Sequence, residues 1–193
     1  MKDPFQQFGE WFREAQAAVP VDPNAMVLST VGPDGRPSSR VVLLKDHDPP
    51  GFVFYGNLGS RKFRDLAARP FAALNFHWKP LERQVRIEGP VVPVTDAEAD
   101  AYFATRARGS QVGAWASRQS EPLGSRAELE QRVREVESRY AGQPVPRPSH
   151  WSGFRLIPDR IEFWRSGEFR LHDREIFRRD STDAPWTVER LYP

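Results

Sequence analysis

Short apolar runs bounded by Gly, Pro and Asp recur along most of the chain and predict β-strands. Eight segments have this pattern: 25–31, 38–45, 51–57, 71–78, 81–94, 154–165, 168–179 and 186–192. The turn sequence GPDGRP joins the first two segments as a hairpin, and Ser166-Gly167 predicts a second hairpin turn. The chain is therefore expected to form a sheet of six to eight strands, mostly antiparallel, with short connections.

Helical periodicity appears between and before these strands. An apolar face that includes Phe8 and Trp11 predicts a helix within residues 1–20, and a short helix is predicted at 60–69. Residues 95–141 form a predicted helical insertion, which opens with a capping box of Thr95 and Glu98. With C-terminal strands at 154–192, the whole chain 1–193 is predicted to be a single α+β domain built on a β-barrel with flanking helices.

Composition and charge narrow the class of protein. Hydrophobic residues make up 39% of the 193 residues and charged residues 28%, with a formal net charge of only +2. The small net charge and the lack of a contiguous basic stripe argue against a nucleic-acid partner. There is no cysteine, the four histidines are scattered, and no metal site is predicted. No segment suggests a signal peptide or membrane partner, so a cytoplasmic protein is expected.

Two cations stand where a helix would disfavour them. After the strand at 51–57, Ser60 is placed as the N-cap of a helix whose first turn carries Arg61 and Lys62. The positive end of the helix dipole repels cations unless an anion such as phosphate is bound there. The alternative to a phosphate site is that the side chains of Arg61 and Lys62 both extend into water. Arg40 and Lys45, on the strand at 38–45, could complete a phosphate site.

Two further groups of polar side chains have suggestive spacing. Tyr102, Arg106 and Ser110 follow one another every four residues, so one helix would align a phenol, a guanidinium and a hydroxyl for a second phosphate. Arg170, His172 and Arg174 alternate, so a regular strand would project all three from one face. An exposed polar stripe is the alternative explanation in both cases.

Several longer motifs strongly resemble the pyridoxamine (pyridoxine) 5′-phosphate oxidase family. They occur in that family's order and spacing from about residue 22 to 193: RVVLLK, FYGNLGSRK, LERQVRIEG, GSQVGAWASRQS, WSGFRL, IEFWRSGEFRLHDR and the terminal ERLYP. The resemblance implies an FMN-binding split β-barrel that forms a homodimer, with FMN at the subunit interface. It departs from the family at Gly56, where a hydroxyl residue is common, and at Gly109, which replaces a frequent acidic residue.

The resemblance also implies roles for individual residues. FMN would be held by residues matching Arg40, Val41, Val42, Leu43, Leu44, Lys45, Tyr55, Gly56, Arg61, Lys62, Gln84, Gln119, Ser120, Trp164 and Arg174. The substrate phosphate would be held by Lys45, Tyr102, Arg106 and Ser110. Arg170, Leu171 and His172 would meet the substrate ring, and Arg170 and His172 would act in catalysis.

The implied reaction is the oxidation of pyridoxine 5′-phosphate or pyridoxamine 5′-phosphate to pyridoxal 5′-phosphate. Hydride passes from C4′ to the flavin, and O2 then accepts the electrons and gives hydrogen peroxide. With pyridoxamine 5′-phosphate, water then hydrolyses the resulting imine and ammonia is released. Three alternatives stay open from the sequence. They are a split-barrel enzyme acting on another ring system, such as a phenazine intermediate, a non-catalytic binder of FMN or pyridoxal phosphate, and a small-barrel nucleic-acid binder.

Overall fold

The structure is a computed structural model that describes residues 3–193. Five α-helices flank the sheet: α1 Pro4–Ala18, α2 Arg61–Ala68, α3 Asp96–Thr105, α4 Arg108–Ala116 and α5 Arg126–Arg139. Ten strands form it: β1 Ala25–Val31, β2 Pro37–Leu43, β3 Asp46–Asp48, β4 Gly51–Asn57, β5 Phe71–Trp78, β6 Arg83–Pro93, β7 Trp151–Leu156, β8 Arg160–Arg165, β9 Asp173–Arg178 and β10 Thr187–Arg190. No described helix is both long and apolar enough to span a bilayer.

Every strand pair is antiparallel, as the sequence predicts. The main path of the sheet runs β10-β9-β8-β6-β5-β1-β2, while β7 pairs with β4 and with the end of β6. Strand β6 makes this possible because its first half pairs with β5 and β8, whereas Val91–Pro93 pair with β7. The long β6 therefore bends the sheet into an open, split barrel, and the predicted fold class is confirmed.

The core fills the concave side of this sheet. Leu28, Leu74 and Ile87 are fully buried on three neighbouring strands, in the alternating pattern of a sheet with one face inward. Helix α1 closes the core with Phe8, which packs edge-on against Phe52 at a centroid distance of 4.9 Å. Asp3 caps this helix by accepting a hydrogen bond from the Phe5 amide at 2.9 Å.

Two strand predictions need correction. The segment 154–165 is not one strand, because the chain turns at 157–159 and separates β7 from β8. The segment 168–179 begins as a turn of 3-10 helix at Glu168–Arg170, and β9 starts only at Asp173. The connection between β8 and β9 is thus the longer loop 166–172 and not the tight Ser166-Gly167 hairpin. The short strand β3 has no counterpart among the predicted elements.

Candidate active site

A cleft of about 950 Å³ lies between strands β2 and β4, helix α2 and the helical segment α3–α4. Most of the residues predicted to bind phosphate lie on its wall. The lining includes Arg40, Val41, Val42, Leu43, Lys45, Tyr55, Gly56, Arg61, Lys62, Tyr102, Arg106, Ser110, Gln119 and Ser120. Leu44, predicted with them, follows β2 and is instead buried in the core.

Arg40 is held at the edge of the sheet by acceptors on its own strand and on β1. It lies opposite Leu28 in the register of these two strands. There Nη1 donates to the Leu28 carbonyl at 3.1 Å and to Thr30 Oγ1 at 2.8 Å, and Nη2 donates to Ser38 Oγ at 2.8 Å. Nε and the remaining Nη2 hydrogen are still open to a ligand. Burial lowers the pKa of Arg40, with Asp65 opposing and Arg61 adding to that shift.

The start of α2 gathers the next part of the cleft. Ser60 occupies the N-cap position, but its hydroxyl accepts a hydrogen bond from Lys62 Nζ at 3.2 Å and does not cap the helix. Lys62 Nζ also donates to Gln119 Oε1 at 2.7 Å, and the Arg61 amide donates to Ser120 Oγ at 3.2 Å. The linker after α4 therefore folds over this helix end and brings Gln119 and Ser120 beside the two cations.

Lys62 is a buried cation whose charge is poorly compensated. Its side chain is only 9% exposed. Burial, and secondarily the charge of Arg40, lower the pKa of Lys62 to about 8. The carboxylate of Asp65 lies on the same helix, but it accepts a 2.7 Å hydrogen bond from Thr30 and lies 3.9 Å from Arg40 and 4.0 Å from Arg61. The resulting excess of positive charge suits a phosphate anion.

Tyr102, Arg106 and Ser110 do not share one helix, which corrects the sequence prediction. Helix α3 ends at Thr105, and Arg106 is its C-cap residue with an extended backbone. A new helix, α4, begins at Arg108, so Gly109 lies inside a helix and does not end one. All three side chains nevertheless line the same cleft, because the bend between α3 and α4 wraps around it.

A stack of three aromatic rings forms the floor on this side. Tyr55 stacks on Tyr102 at a centroid distance of 4.4 Å and on Trp151 at 5.3 Å. The guanidinium of Arg106 lies 4.8 Å from the centre of the Trp151 ring, and Lys45 Nζ lies 5.8 Å from the Tyr102 ring. The Nη1 atom of Arg106 is buried, and none of the described residues accepts a hydrogen bond from it. A buried donor without a partner indicates room for an acceptor from a ligand.

The remaining predicted residues lie elsewhere on the same chain. Gln84 is on β6, Trp164 on β8 and Arg174 on β9, where Arg174 Nε donates to the buried carboxylate of Glu162 at 2.7 Å. Leu171 and His172 belong to the loop 166–172, and the His172 ring lies 4.6 Å from the Trp164 ring. Four strand steps separate β8 from β2, roughly 19 Å along the sheet. One chain therefore presents two separate groups of site residues.

The second group is presented by a strained loop and not by a regular strand. Phe169 and Arg170 have φ values of 55° and 65°, in the left-handed region that non-glycine residues rarely adopt. Gly167 permits this path, because a Cβ atom there would lie 2.1 Å from the Leu171 carbonyl oxygen. The predicted alternation of Arg170, His172 and Arg174 on one strand face is therefore wrong. The loop leaves Arg170 and Leu171 exposed.

Several residues of the site are absent from the sequence predictions. Trp151 and Ser38 line the cleft, and Asp65 contacts two of its arginines. Ser38 could have been predicted from the sequence, because it precedes Arg40 by two residues and so lies on the same face of the strand. Asp65 also carried a local signal, because it follows Arg61 by four residues in a predicted helix. Trp151 carried no comparable signal, because Tyr55 and Arg106, its partners in the cleft, are more than 40 residues away along the chain.

Gly56 packs so closely that the cleft has no room for a side chain there. A Cβ atom would lie 2.9 Å from Phe63 Cε2 and 3.3 Å from Lys62 Cε. We expect Gly56→Ala to destabilise the protein by about 1–3 kcal/mol through overpacking and to weaken FMN binding by displacing Lys62. Thermal unfolding and a flavin titration would measure both. Gly109→Ala, where a Cβ atom meets no atom within 4 Å, is the matched control and should leave both unchanged.

Comparison with known families shows to which family the chain belongs. The family model for pyridoxamine 5′-phosphate oxidase matches residues 12–140, and the model for the pyridoxine 5′-phosphate oxidase C-terminal dimerisation region matches residues 151–193. The chain belongs to the pyridoxamine 5′-phosphate oxidase family. The family inferred from the sequence motifs is thereby confirmed.

Individual relatives agree with this family. The pyridoxine/pyridoxamine 5′-phosphate oxidase of Myxococcus xanthus (strain DK1622) is 65% identical over 191 residues, which cover 99% of this chain and 92% of that protein. The crystal structure of PhzG from Burkholderia lata 383, in complex with tetrahydrophenazine-1-carboxylic acid, superposes with a TM-score of 0.93 at 32% identity, covering 100% of this chain and 94% of that one. A pyridoxamine 5′-phosphate oxidase-related, FMN-binding protein from Nostoc punctiforme PCC 73102 shares the fold, with a TM-score of 0.81 at 14% identity over the full length of both chains.

Proposed function

We propose that the cleft binds the phosphate groups of both FMN and the substrate, and that the chain uses this arrangement to oxidise pyridoxine 5′-phosphate and pyridoxamine 5′-phosphate to pyridoxal 5′-phosphate. The enzyme is an FMN oxidoreductase of vitamin B6 metabolism, in line with its family and its relatives. The observation that carries the assignment of the site is the convergence of Arg40, Lys45, Arg61, Lys62 and Arg106 on one cleft.

The FMN phosphate fits the end of the cleft at helix α2. Arg40, Arg61, Lys62 and Ser120 supply donors there, and the buried Lys62 gains a counter-charge when an anion binds. Lys62 has three N–H donors and uses two of them on Ser60 and Gln119, which leaves one for the phosphate. Residues 41–43 of β2 would follow the rest of the cofactor along the cleft wall.

The substrate phosphate fits the other end of the cleft. Lys45, Tyr102, Arg106 and Ser110 line it, and Arg106 Nη1 is a buried donor without an acceptor among the described residues. A phosphate oxygen would satisfy this donor by a charge-assisted hydrogen bond. A substrate without phosphate would leave it unsatisfied, so this end of the cleft selects phosphorylated substrates.

A second copy of the chain would complete the site. The match of residues 151–193 to the dimerisation region supports a homodimer. The second group of residues does not line the cleft of its own chain, because its strands β6, β8 and β9 lie three to five strand steps from β2. This group consists of Gln84, Trp164, Arg170, His172 and Arg174. We therefore place FMN at the subunit interface, with the cleft of one subunit facing the loop 166–172 of the other.

The chain's own residues orient the substrate and balance its charge during the reaction. FMN bound in the cleft would supply the redox chemistry, that is, acceptance of hydride from the substrate C4′ and reduction of O2 to hydrogen peroxide. Arg170 offers a permanent cation to charge that develops on the substrate. The Gly167 amide donates a hydrogen bond to His172 Nδ1 at 3.2 Å. In the neutral ring the proton therefore sits on Nε2, and His172 presents a donor to the substrate.

The test is an anaerobic visible spectrum of the FMN-loaded protein before and after addition of pyridoxine 5′-phosphate. We expect the flavin band to bleach and to return when air is admitted, with formation of hydrogen peroxide. Pyridoxine without phosphate is the control and should bleach the band far more slowly. A band that persists with pyridoxine 5′-phosphate and with pyridoxamine 5′-phosphate would contradict the proposed reaction and would leave either another ring substrate or a role in binding alone.

The alternative within flavin chemistry is oxidation of a reduced phenazine. It is favoured by the structural similarity to PhzG, whose structure holds tetrahydrophenazine-1-carboxylic acid. The four residues at the substrate-phosphate end argue against it, since a ligand without phosphate would not need Lys45, Tyr102, Arg106 and Ser110 together. The same anaerobic experiment with a reduced phenazine carboxylic acid separates the two, because only the true substrate would bleach the band rapidly.

A further inference from the structure

Arg106 is held by aromatic faces instead of by a carboxylate. Its guanidinium carbon lies 4.8 Å from the Trp151 ring centre and 5.4 Å from the Phe103 ring centre. None of the ion pairs within residues 3–193 includes Arg106. Burial lowers the pKa of Arg106, and the Tyr102 phenol opposes that shift, with no contribution from an acidic residue in the described chain.

An aromatic face stabilises a cation without using its hydrogen-bond donors. The attraction comes from the ring quadrupole and acts on the plane of the guanidinium. A carboxylate would instead take two N–H groups along the edge of the fork and would compete with a phosphate for them. Arg106 therefore keeps its N–H edge free, and the buried Nη1 without a partner is evidence of this.

Arg40 provides a contrast within the same cleft. Arg40 donates three hydrogen bonds, to Leu28, Thr30 and Ser38, and the Asp65 carboxylate lies 3.9 Å from it. That arginine is fixed by polar partners. Arg106 has no such support, so its position depends on the rings that surround it.

Trp151 is well placed to give this support. It is the first residue of β7, it is 5% exposed, and its ring stacks on Tyr55 with an interplanar angle of 2°. Tyr102 lies in the same stack, 6.1 Å from Trp151 and with an interplanar angle of 15°. The Trp151 ring thus contacts the Arg106 guanidinium and also belongs to the aromatic stack that includes Tyr102, at the substrate-phosphate end of the cleft.

We propose that Trp151 is a positioning residue for the substrate phosphate, because its ring holds Arg106 in place by a cation–π contact that leaves the N–H edge of the guanidinium free. Trp151 does not itself contact the phosphate. The inference rests on the proposed function, which assigns Arg106 to that phosphate.

The test compares Trp151→Leu with Trp151→Phe in the FMN-loaded enzyme. We expect Trp151→Leu to raise KM for pyridoxine 5′-phosphate about tenfold and Trp151→Phe about threefold, with kcat changed less than about twofold. The inhibition constant of inorganic phosphate should rise in parallel, whereas that of unphosphorylated pyridoxine should not change. Trp186→Leu is the matched control, since Trp186 contacts Arg179 at 4.4 Å outside the cleft.

A double-mutant cycle decides whether Trp151 acts through Arg106. In an Arg106→Gln background, Trp151→Phe should raise KM no further. Additive effects of the two substitutions, or an equal loss of affinity for inorganic phosphate and for pyridoxine, would overturn the proposal and assign Trp151 a purely structural role.

A failure of the proposed function is distinguishable from a failure of this inference. If the wild-type protein does not oxidise pyridoxine 5′-phosphate, the reaction is wrong, and the same variants are then compared by equilibrium binding of pyridoxal 5′-phosphate and pyridoxal. Selective loss of the phosphorylated ligand would still support the role of Trp151, and equal loss of both would overturn it.

Discussion

Arg170→Ala is expected to lower kcat roughly a hundredfold to a thousandfold while leaving the FMN dissociation constant within about threefold of the wild-type value. The exposed Arg170 side chain sits on a loop whose backbone is strained at Phe169 and Arg170. Left-handed non-glycine residues cost about 1–3 kcal/mol each and are found where function requires a fixed geometry. In the proposed dimer the loop would present Arg170 to the substrate at the other subunit's cleft, so its loss should affect the reacting substrate and not the cofactor.

Steady-state kinetics with pyridoxine 5′-phosphate and a fluorescence titration with FMN would measure the two quantities. Arg170→Lys is the matched variant, since it keeps the charge but loses the planar fork, and it should retain part of the activity. Equal losses of FMN affinity and turnover in Arg170→Ala would show that Arg170 belongs to the cofactor and not to the substrate.

The same variant also tests whether the site is shared between subunits. At a low concentration of pyridoxine 5′-phosphate, where Arg170→Ala and Arg106→Gln are each slow, mixing the two kinds of chain should restore about a quarter of the wild-type activity, because half of the dimers are mixed and each mixed dimer has one intact site of two. Each protein alone, taken through the same dissociation and reassociation, is the control. No recovery on mixing would mean that both residues serve one site within a single chain.

Much of the fold follows from local sequence patterns. The strands β1, β4 and β5 occupy the segments whose apolar runs predict them, because Gly, Pro and Asp bound each run. The capping box of Thr95 and Glu98 is present as predicted. The long β6 that splits the barrel is a single run in the sequence, but its change of partners depends on strands 60 residues or more away. The change in the pairing partners of β6 therefore could not be predicted from the local sequence.

The site was less accessible to sequence reasoning than the fold. The four-residue spacing predicted that Tyr102, Arg106 and Ser110 lie on one helix. In the structure the chain bends at Arg106, and α4 begins two residues later. The residues still meet, since the bend follows the cleft wall. The alternation of polar and apolar residues predicted a strand at 168–174. In the structure Gly167 and the left-handed residues Phe169 and Arg170 form a loop there. The residue roles, the single-domain organisation and the cytoplasmic location stay predictions.

Lys62→Met is expected to weaken FMN binding roughly tenfold to a hundredfold, the effect of a charge-assisted hydrogen bond to a phosphate. The buried ammonium is pre-positioned by Ser60 and Gln119, at 3.2 and 2.7 Å. A flavin titration measures the loss, and riboflavin is the matched ligand, because without a phosphate it should bind both proteins equally. Unchanged FMN affinity in Lys62→Met would mean that the Lys62 ammonium does not contact the FMN phosphate.

The pH dependence of FMN binding tests whether the charged form of Lys62 binds the FMN phosphate. Burial lowers the pKa of Lys62 to about 8, below its ordinary value of 10.5, so the empty site carries the ammonium below pH 8 and loses it above. A bound phosphate favours the charged form and raises that pKa, and binding above pH 8 must therefore take up a proton. We expect the FMN dissociation constant to be flat from pH 7 to 8 and to rise up to about tenfold per pH unit above it. Lys62→Met should abolish the rise, whereas a rise that persists in this variant would assign it to another group.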